Sequence, residues 1–178
     1  MRIIAGSRKG ATIFAPKGAE TRPTGDRVRE AAFTLIGPVE DMAVLDLFAG
    51  SGAMGLEALS RGAKTAVLVE SDREALRTIE RNLEKLDLTG ATVLKTDARK
   101  ALAAEAAAGR RYDLVLVDPP YRMLDSLLPI LSTYLPALLA EDGIVVLETP
   151  AREHPELPLA ERTSRTYGSV RLTVFEAA

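Results

Sequence analysis

The stretch LVLVDPPY (114–121) brings a carboxylate, two prolines and an aromatic ring together directly after an apolar run. A short apolar run of this kind is typical of a strand that is buried on both faces of a sheet. Proline has no N–H for the hydrogen-bond ladder, so Pro119 ends the strand. Asp118 is therefore expected where a buried strand leaves its sheet, followed by Pro120 and Tyr121. A carboxylate at such a point can accept hydrogen bonds from a ligand.

Three more carboxylates lie at or near the ends of predicted strands. They are Asp46, Glu70 and Asp97, and Asp118 makes a fourth. The carboxyl ends of parallel strands meet at one edge of a sheet, and open α/β sheets bind their ligands beyond that edge. Because loops are polar in general, any one of these acids alone would be unremarkable. Together, at corresponding positions, they predict a ligand site at that edge.

Five apolar runs alternate with helical segments between residues 43 and 149. The predicted strands are AVLDLF, TAVLVE, ATVLKT, YDLVLVD and GIVVLET. The end, RTSRTYGSVRLTVFE, predicts an antiparallel hairpin around a Gly168-Ser169 turn. The alternation predicts an α/β fold: a Rossmann-like, doubly wound, seven-stranded sheet, mostly parallel with a C-terminal antiparallel hairpin strand, and helices on both faces. We divide the chain into an N-terminal basic hairpin arm (1–25) and a domain over residues 26–178.

Composition narrows the class of protein. The chain has 178 residues, no cysteine, one histidine and a net charge of −2. The absence of cysteine excludes disulfides, thiolate metal sites and cysteine nucleophiles and fits a cytoplasmic protein, and we expect no metal. No apolar run approaches the roughly 18–20 residues that span a bilayer, and MRIIAGSRKG lacks the pattern of a signal peptide. Residues 1–30 contain seven basic and three acidic residues, a local charge that suits a polyanion.

A glycine-rich loop follows the first predicted strand. DLFAGSGAMG (46–55) contains Gly50, Gly52 and Gly55 in the spacing GxGxxG, and Glu70 lies 20 residues beyond Gly50. Such a loop lets a ligand approach the backbone, and an acid at that distance suits the vicinal hydroxyls of a ribose. The pattern fits two cofactors, a nicotinamide dinucleotide and S-adenosylmethionine.

Asp46 favours S-adenosylmethionine. The pyrophosphate of a dinucleotide would lie over the glycine loop, where a negative charge close to Gly50 is unfavourable. S-adenosylmethionine has no phosphate and carries an ammonium and a sulfonium, which a carboxylate attracts. Asp97 could accept a hydrogen bond from the adenine amino group. We therefore expect S-adenosylmethionine as the cofactor and S-adenosylhomocysteine as its product.

Together, DLFAGSGAMGLEALSRGA and LVLVDPPY resemble the class I S-adenosylmethionine-dependent methyltransferases that modify exocyclic amino groups of bases. Asp118-Pro119-Pro120-Tyr121 looks like their (Asp/Asn)-Pro-Pro-(Tyr/Phe) motif. The resemblance implies that Asp118 and the Pro119 carbonyl oxygen accept hydrogen bonds from the target amine, and that Tyr121 stacks on an extruded base. Methylation at carbon 5 of a pyrimidine uses a cysteine in related families, so this chain indicates a nitrogen acceptor.

Three further segments, RIIAGSRKGATI, RPTGDRVREAAFTLI and TYGSVRLTVFE, resemble the bacterial 16S ribosomal RNA guanine-N2 methyltransferases of the RsmD type. The resemblance covers nearly the whole chain. It implies a cytoplasmic, monomeric enzyme that does not bind a membrane. The implied substrate is one guanine of 16S rRNA, in the small ribosomal subunit or an assembly intermediate. The implied cofactor-binding residues are Asp46, Phe48, Gly50, Gly52, Glu70, Ser71, Asp97 and Ala98. The implied RNA-binding residues are Arg8, Lys9, Arg22, Thr24 and Arg27.

Two alternatives remain open at this point. An enzyme of the same chemistry could act on adenine N6 or another nucleic-acid amine, although the chain is short for a separate DNA-recognition domain. An NAD-dependent oxidoreductase could use the same GxGxxG loop. The basic arm could also be a solvated surface, and Tyr167 could either face the target or pack within its strand.

Overall fold

The computed structural model describes residues 1–17 and 25–178. Its strands are β1 (Ala43–Asp46), β2 (Thr65–Glu70), β3 (Ala91–Lys95), β4 (Tyr112–Val117), β5 (Leu139–Pro150), β6 (Ala160–Tyr167) and β7 (Val170–Glu176). Its helices are α1 (Asp26–Ile36), α2 (Ala53–Ser60), α3 (Arg73–Leu86), α4 (Ala98–Ala107) and α5 (Leu124–Leu138). A 3₁₀ turn covers Tyr121–Met123.

The strands form one sheet in the order β3-β2-β1-β4-β5-β7-β6. The first five are parallel, and β7 runs antiparallel to both β5 and β6. This confirms the predicted α/β class with its C-terminal antiparallel hairpin. The order reverses between β1 and β4, because the chain builds β2 and β3 on one side of β1 before it returns to the other. In sheets of this kind the crevice at that reversal binds the ligand.

Both faces of the sheet are covered by helices. Side chains of α1, α2 and α3 pack on one face and those of α4 and α5 on the other. Alternate residues of β4 serve the two cores: Leu114 and Leu116 face α1 to α3, whereas Val115 and Val117 face α4 and α5. All of these side chains are buried. The run LVLV is therefore the doubly buried strand that its composition predicts.

Helix α5 continues through two prolines. Pro129 and Pro136 predict an interruption, yet the helix runs unbroken from Leu124 to Leu138. Both prolines lie on the exposed side of the helix. The opposite side places buried leucines at helical spacing against the sheet: Leu124, Leu127, Leu131, Leu135 and Leu138. Burial of these side chains outweighs the lost backbone hydrogen bonds. In the described part of the chain, no helix is long and apolar enough to cross a membrane.

The first residues of the chain fold onto α2 and α3. An antiparallel bridge joins Arg2 and Thr12, and the side chains of Ile3 and Ile13 are buried against those two helices. Gly6 has φ 84°, and a Cβ added there would lie 1.8 Å from the carbonyl oxygen of Ser60. Only a glycine allows the segment to approach the end of α2 so closely.

A buried carboxylate fixes this segment. Glu57 of α2 has no exposed surface, and its oxygens accept hydrogen bonds from the backbone N–H groups of Ile4 and Ala5 at 2.9 and 3.0 Å. Its Oε1 also lies 2.8 Å from Nε of Arg61. Its Oε2 lies 3.5 Å from Nε of Arg29, a fully buried residue of α1. One acid thus joins α1, α2 and the N-terminal segment.

Candidate active site

A cavity of about 580 Å³ opens beyond the carboxyl ends of β1, β2 and β4, at the reversal of strand order. This volume is typical of a site for a small molecule or cofactor. The predicted site residues that line it are Asp46, Phe48, Gly50, Glu70, Ser71, Asp97, Ala98, Asp118 and Pro120. The predicted residues Gly52, Pro119 and Tyr121 do not contribute to its wall. Among the residues that the structure describes, no group of acidic or histidine side chains is arranged to hold a metal ion.

Each glycine of the loop has its own role. Gly52 begins α2 in the left-handed conformation, with φ 84°, which strains other residues. A Cβ added at Gly55 would lie 2.1 Å from Cδ2 of Leu68, so a side chain there would force the buried Leu68 to move. The N–H of Gly55 also donates to Oδ2 of Asp46, 3.1 Å away. Gly50 has open space where a side chain would stand, which keeps that part of the cavity wall bare.

Glu70 ties the glycine loop to the start of α3. Its Oε2 accepts a hydrogen bond from the backbone N–H of Gly50 at 2.9 Å. Its Oε1 accepts hydrogen bonds from the backbone N–H groups of Ser71 and Asp72 at 2.8 and 2.9 Å. Asp72 in turn caps α3 by accepting from the N–H of Ala75. A carboxylate offers about four lone pairs, so Glu70 keeps capacity for one further hydrogen-bond donor.

Replacing Glu70 with alanine is expected to weaken binding of S-adenosylhomocysteine by about 1–3 kcal/mol, because a charge-assisted hydrogen bond is lost and the Gly50 N–H is left without its acceptor. Isothermal titration calorimetry measures this change, with Glu80→Ala, an exposed acid of α3, as the control. A 2′-deoxy analogue separates the ribose contact from the loop contact, since only the wild type should prefer the intact ribose. An unchanged dissociation constant would exclude the ribose role.

Asp46 is the buried acid of the site, with 3% of its surface exposed. Burial is the main cause that raises the pKa of Asp46, and the neighbouring carboxylates of Asp118 and Glu70 raise it further, to about 7. The hydrogen bonds from the backbone of Gly55 and Phe48 oppose this shift. The cavity therefore concentrates negative charge, which a cationic ligand would relieve.

Asp97, after β3, and Asp118 and Pro120, after β4, border the cavity. Asp97 caps α4, and its Oδ1 accepts hydrogen bonds from the backbone N–H groups of Arg99 and Lys100 at 2.8 and 3.2 Å. Asp118 follows the last residue of β4 and lines the cavity. Tyr121 begins the 3₁₀ turn with 40% of its surface exposed. The acid of the motif therefore lies inside the cavity and its aromatic ring outside the cavity wall.

The predicted RNA-binding residues differ in their surroundings. The guanidinium of Arg8 donates hydrogen bonds to the carbonyl oxygens of Leu86 and Asp87. This side chain therefore caps the C-terminal end of α3. Lys9 and Arg27 are exposed. Arg22 and Thr24 lie outside the described residues.

Several residues of the cavity wall escaped prediction, namely Lys17, Arg122, Met123 and Glu148. Arg122 directly follows the DPPY motif, and Glu148 ends the apolar run IVVL of β5. The rule that selected the other acids, a carboxylate after an apolar run, would have found Glu148 as well. Asn82 gave no sequence signal. It is fully buried, accepts from the N–H of Phe14, and donates to the carbonyl oxygens of Phe14 and Ser51.

Comparison with known proteins places the chain in a family. The family model described as "Conserved hypothetical protein 95" matches residues 1–176. The Bacillus subtilis protein "Putative rRNA methyltransferase YlbH" is 40% identical, covering 99% of this chain and 98% of that protein. The Escherichia coli K12 protein "Ribosomal RNA small subunit methyltransferase D" is 39% identical, covering 84% of this chain and 74% of that protein.

Solved structures agree with this grouping. A hypothetical protein of Thermus thermophilus superposes with a TM-score of 0.86 and 37% identity over 99% of both chains. An Escherichia coli protein titled as a methyltransferase superposes with a TM-score of 0.84 and 33% identity, covering 99% of this chain and 97% of the other. The chain belongs to the Conserved hypothetical protein 95 family, which is the RsmD family.

Proposed function

We propose that this protein transfers a methyl group from S-adenosylmethionine to the exocyclic N2 amino group of one guanine in 16S ribosomal RNA. The observation that carries the proposal is the meeting of Asp118 with Asp46 and Glu70 in one cavity, in a chain whose relatives are named as rRNA methyltransferases. The choice of guanine N2 rests on the resemblance of the sequence to the RsmD type. We further propose that residues 26–178 form the methyltransferase domain of a cytoplasmic monomer and that residues 1–25 contact the RNA.

The residues of the cavity suit S-adenosylmethionine. Glu70 would hold the ribose, Asp97 the adenine, and Asp46 the cationic methionine end. The buried negative charge at Asp46 favours an ammonium and a sulfonium and opposes the pyrophosphate of a dinucleotide. When bound, S-adenosylmethionine supplies an electrophilic methyl group and becomes S-adenosylhomocysteine on transfer.

Asp118 and Pro119 would act on the target amine. The lone pair of an exocyclic amine is delocalised into the ring, so the nitrogen must become more tetrahedral before it attacks. A carboxylate and a carbonyl oxygen that accept its N–H groups favour this change and stabilise the developing positive charge. Pro119 is buried, and the two prolines hold that carbonyl oxygen in place. Tyr121 offers an exposed ring to the extruded base.

Cofactor binding should depend on pH near neutrality. Asp46 is protonated below its pKa of about 7 and then attracts no cation, so affinity for S-adenosylhomocysteine, which keeps its ammonium, should rise between about pH 6 and pH 8. Because this pKa lies above the ordinary value of 3.8, the folded state holds a proton that the unfolded chain has released. The free energy of unfolding should therefore fall as pH rises from about 4 to about 7.

Calorimetry in buffers of different ionisation enthalpy measures the proton exchanged on binding. We expect release of about half a proton at pH 7, where an acid with a pKa of about 7 is half protonated, and more toward pH 6, since a bound cation lowers the pKa of Asp46. Asp46→Asn keeps an oxygen for the Gly55 N–H and removes the titrating group, so it should abolish both the release and the pH dependence. A dissociation constant that does not change with pH in the wild type would refute the role of Asp46.

Charge reversal at Lys9 and Arg27 should weaken rRNA binding and lower the slope of log affinity against log salt by about two, roughly one for each lost phosphate contact. Arg8 is left intact because it closes α3. Arg110→Glu is the control, because this exposed arginine follows α4, on the other face of the sheet from the helices that the N-terminal segment contacts. Equal slopes for the double variant and the wild type would mean that these side chains are solvated surface.

Transfer of labelled methyl groups tests the function directly. The acceptors are unmodified small subunits, protein-free 16S rRNA and duplex DNA, with the product nucleoside identified by mass. N2-methylguanosine from subunits or rRNA is expected, and N6-methyladenine would replace the proposed target. Titration with NAD and with S-adenosylmethionine tests the remaining alternative, because an oxidoreductase would bind only the dinucleotide.

A further inference from the structure

The cavity has two ends on either side of Asp118. Glu70 and Asp97 follow β2 and β3, so the proposed adenosine contacts lie on one side of the strand reversal. On the other side lie β5 and β7, which contribute Val146, Glu148 and Leu172 to the wall. If the cofactor occupies the β2 and β3 side, its methyl group points toward Asp118 and the acceptor base enters from the β5 side.

Glu148 is the acid that β5 contributes to that second end. Its side chain lines the cavity with 9% exposure. Val117 of β4 pairs with Leu147 of β5, so the next residues along the two parallel strands, Asp118 and Glu148, are neighbours. Adjacent strands lie about 4.8 Å apart. Side chains alternate along a strand, and Leu116 and Val146, two residues earlier, line the same cavity. Asp118 and Glu148 are therefore adjacent along the two backbones, and both residues line the same cavity.

We propose that Glu148 selects guanine by accepting a hydrogen bond from the ring N1–H, an inference that rests on the proposed function. In guanine the N1–H donor is bonded to the carbon that carries the N2 amine. Two neighbouring donors on the base would then meet two neighbouring carboxylates on the protein. Adenine and cytosine carry a lone pair on the ring nitrogen beside their amine, and this lone pair would face the carboxylate of Glu148.

A buried carboxylate discriminates because the wrong base places a lone pair, instead of an N–H donor, against its oxygen. Sites built around a hydrogen bond reject analogues that lack the donor far better than apolar pockets reject a change in size. Asp118 alone does not discriminate, since every exocyclic amine offers it an N–H. Glu148 is thus a specificity-determining residue, distinct from the group that contacts the reacting nitrogen.

The base analogue 2-aminopurine tests this inference, because it keeps the 2-amino group and lacks the N1–H. The target guanine is first mapped by mass, and 2-aminopurine is then placed there by splinted ligation of 16S rRNA. The wild type should use guanine about 10- to 100-fold better in kcat/KM, the effect of one hydrogen bond to a charged group. Glu148→Gln can accept from N1–H or donate to a bare N1, so its preference should fall to about threefold or less.

The controls separate recognition from structure. Glu156→Gln, at an exposed acid, should keep the wild-type preference, and Glu148→Gln should keep the wild-type affinity for S-adenosylhomocysteine. Equal use of the two bases by the wild type would overturn the inference without any variant. Equal losses on both bases in Glu148→Gln would also overturn it, because they indicate a structural role. No transfer to any RNA by the wild type would instead overturn the proposed function, and this inference with it.

Discussion

Asp118→Ala is expected to lower kcat for methyl transfer by about 10²- to 10³-fold, the usual effect of removing one group that stabilises charge in a transition state. Asp118 lines the cavity and, in the proposed function, contacts the target amine and not the cofactor, so affinity for S-adenosylhomocysteine at high pH should change little. Single-turnover transfer to small subunits and calorimetry measure the two quantities. Asp118→Asn keeps one acceptor oxygen and should retain more activity than the alanine variant.

The pKa of Asp46 gives a second test of the Asp118 variants. The Asp118 carboxylate contributes to the raised pKa of Asp46, so its removal should move the pH midpoint of cofactor binding downward. Asp125→Asn, an exposed acid of α5, is the matched control and should leave rate and midpoint unchanged. Full turnover by Asp118→Ala would refute its role at the amine.

Glu57→Ala is expected to lower the free energy of unfolding by about 3–5 kcal/mol, because it leaves the buried charge of Arg29 without its buried counter-charge. Glu57 and Arg29 have no exposed surface. The nearest opposite charge left to Arg29 among the described residues is Asp26, 2.9 Å from Nη2 and partly exposed. The N–H groups of Ile4 and Ala5 lose their acceptor as well. Urea unfolding measures the change.

The double replacement Glu57→Leu with Arg29→Leu separates charge from packing. It removes both buried charges together, so it should lose less stability than Glu57→Ala alone. Glu84→Ala, at an exposed position of α3, should change the free energy of unfolding by less than about 0.5 kcal/mol. A double variant as unstable as the single one would show that the backbone hydrogen bonds, rather than the ion pair, dominate.

The local pattern of apolar residues, glycines and prolines was sufficient to predict the fold. The runs LVLV and TAVLVE form buried strands, and Pro119 ends β4 as its missing N–H requires. Local pattern was insufficient in α5, where Pro129 and Pro136 predict an interruption. That helix continues because its leucines are buried against the sheet. This stabilisation comes from tertiary packing, which the local sequence pattern does not reveal.

The candidate site could be predicted from the sequence where acidic residues lie at the ends of predicted strands. Asp46, Glu70, Asp97 and Asp118 meet in one cavity because parallel strands bring their carboxyl ends together. The contacts of Glu57 and Asn82 were not predictable. Glu57 binds a backbone group 53 residues away, and Asn82 binds one 68 residues away. No spacing rule connects such pairs, since they exist only after the helices have packed.

The glycine loop is tied down at three separate places. Gly50 donates to Glu70, Gly55 donates to Asp46, and the carbonyl oxygen of Ser51 accepts from Asn82. Fixing the backbone of one residue costs about 1–2 kcal/mol in conformational entropy. These hydrogen bonds order the loop when the chain folds, so a ligand that binds later does not lose affinity by ordering it. Affinity there is limited by the contacts themselves and not by the disorder that a looser glycine segment would bring.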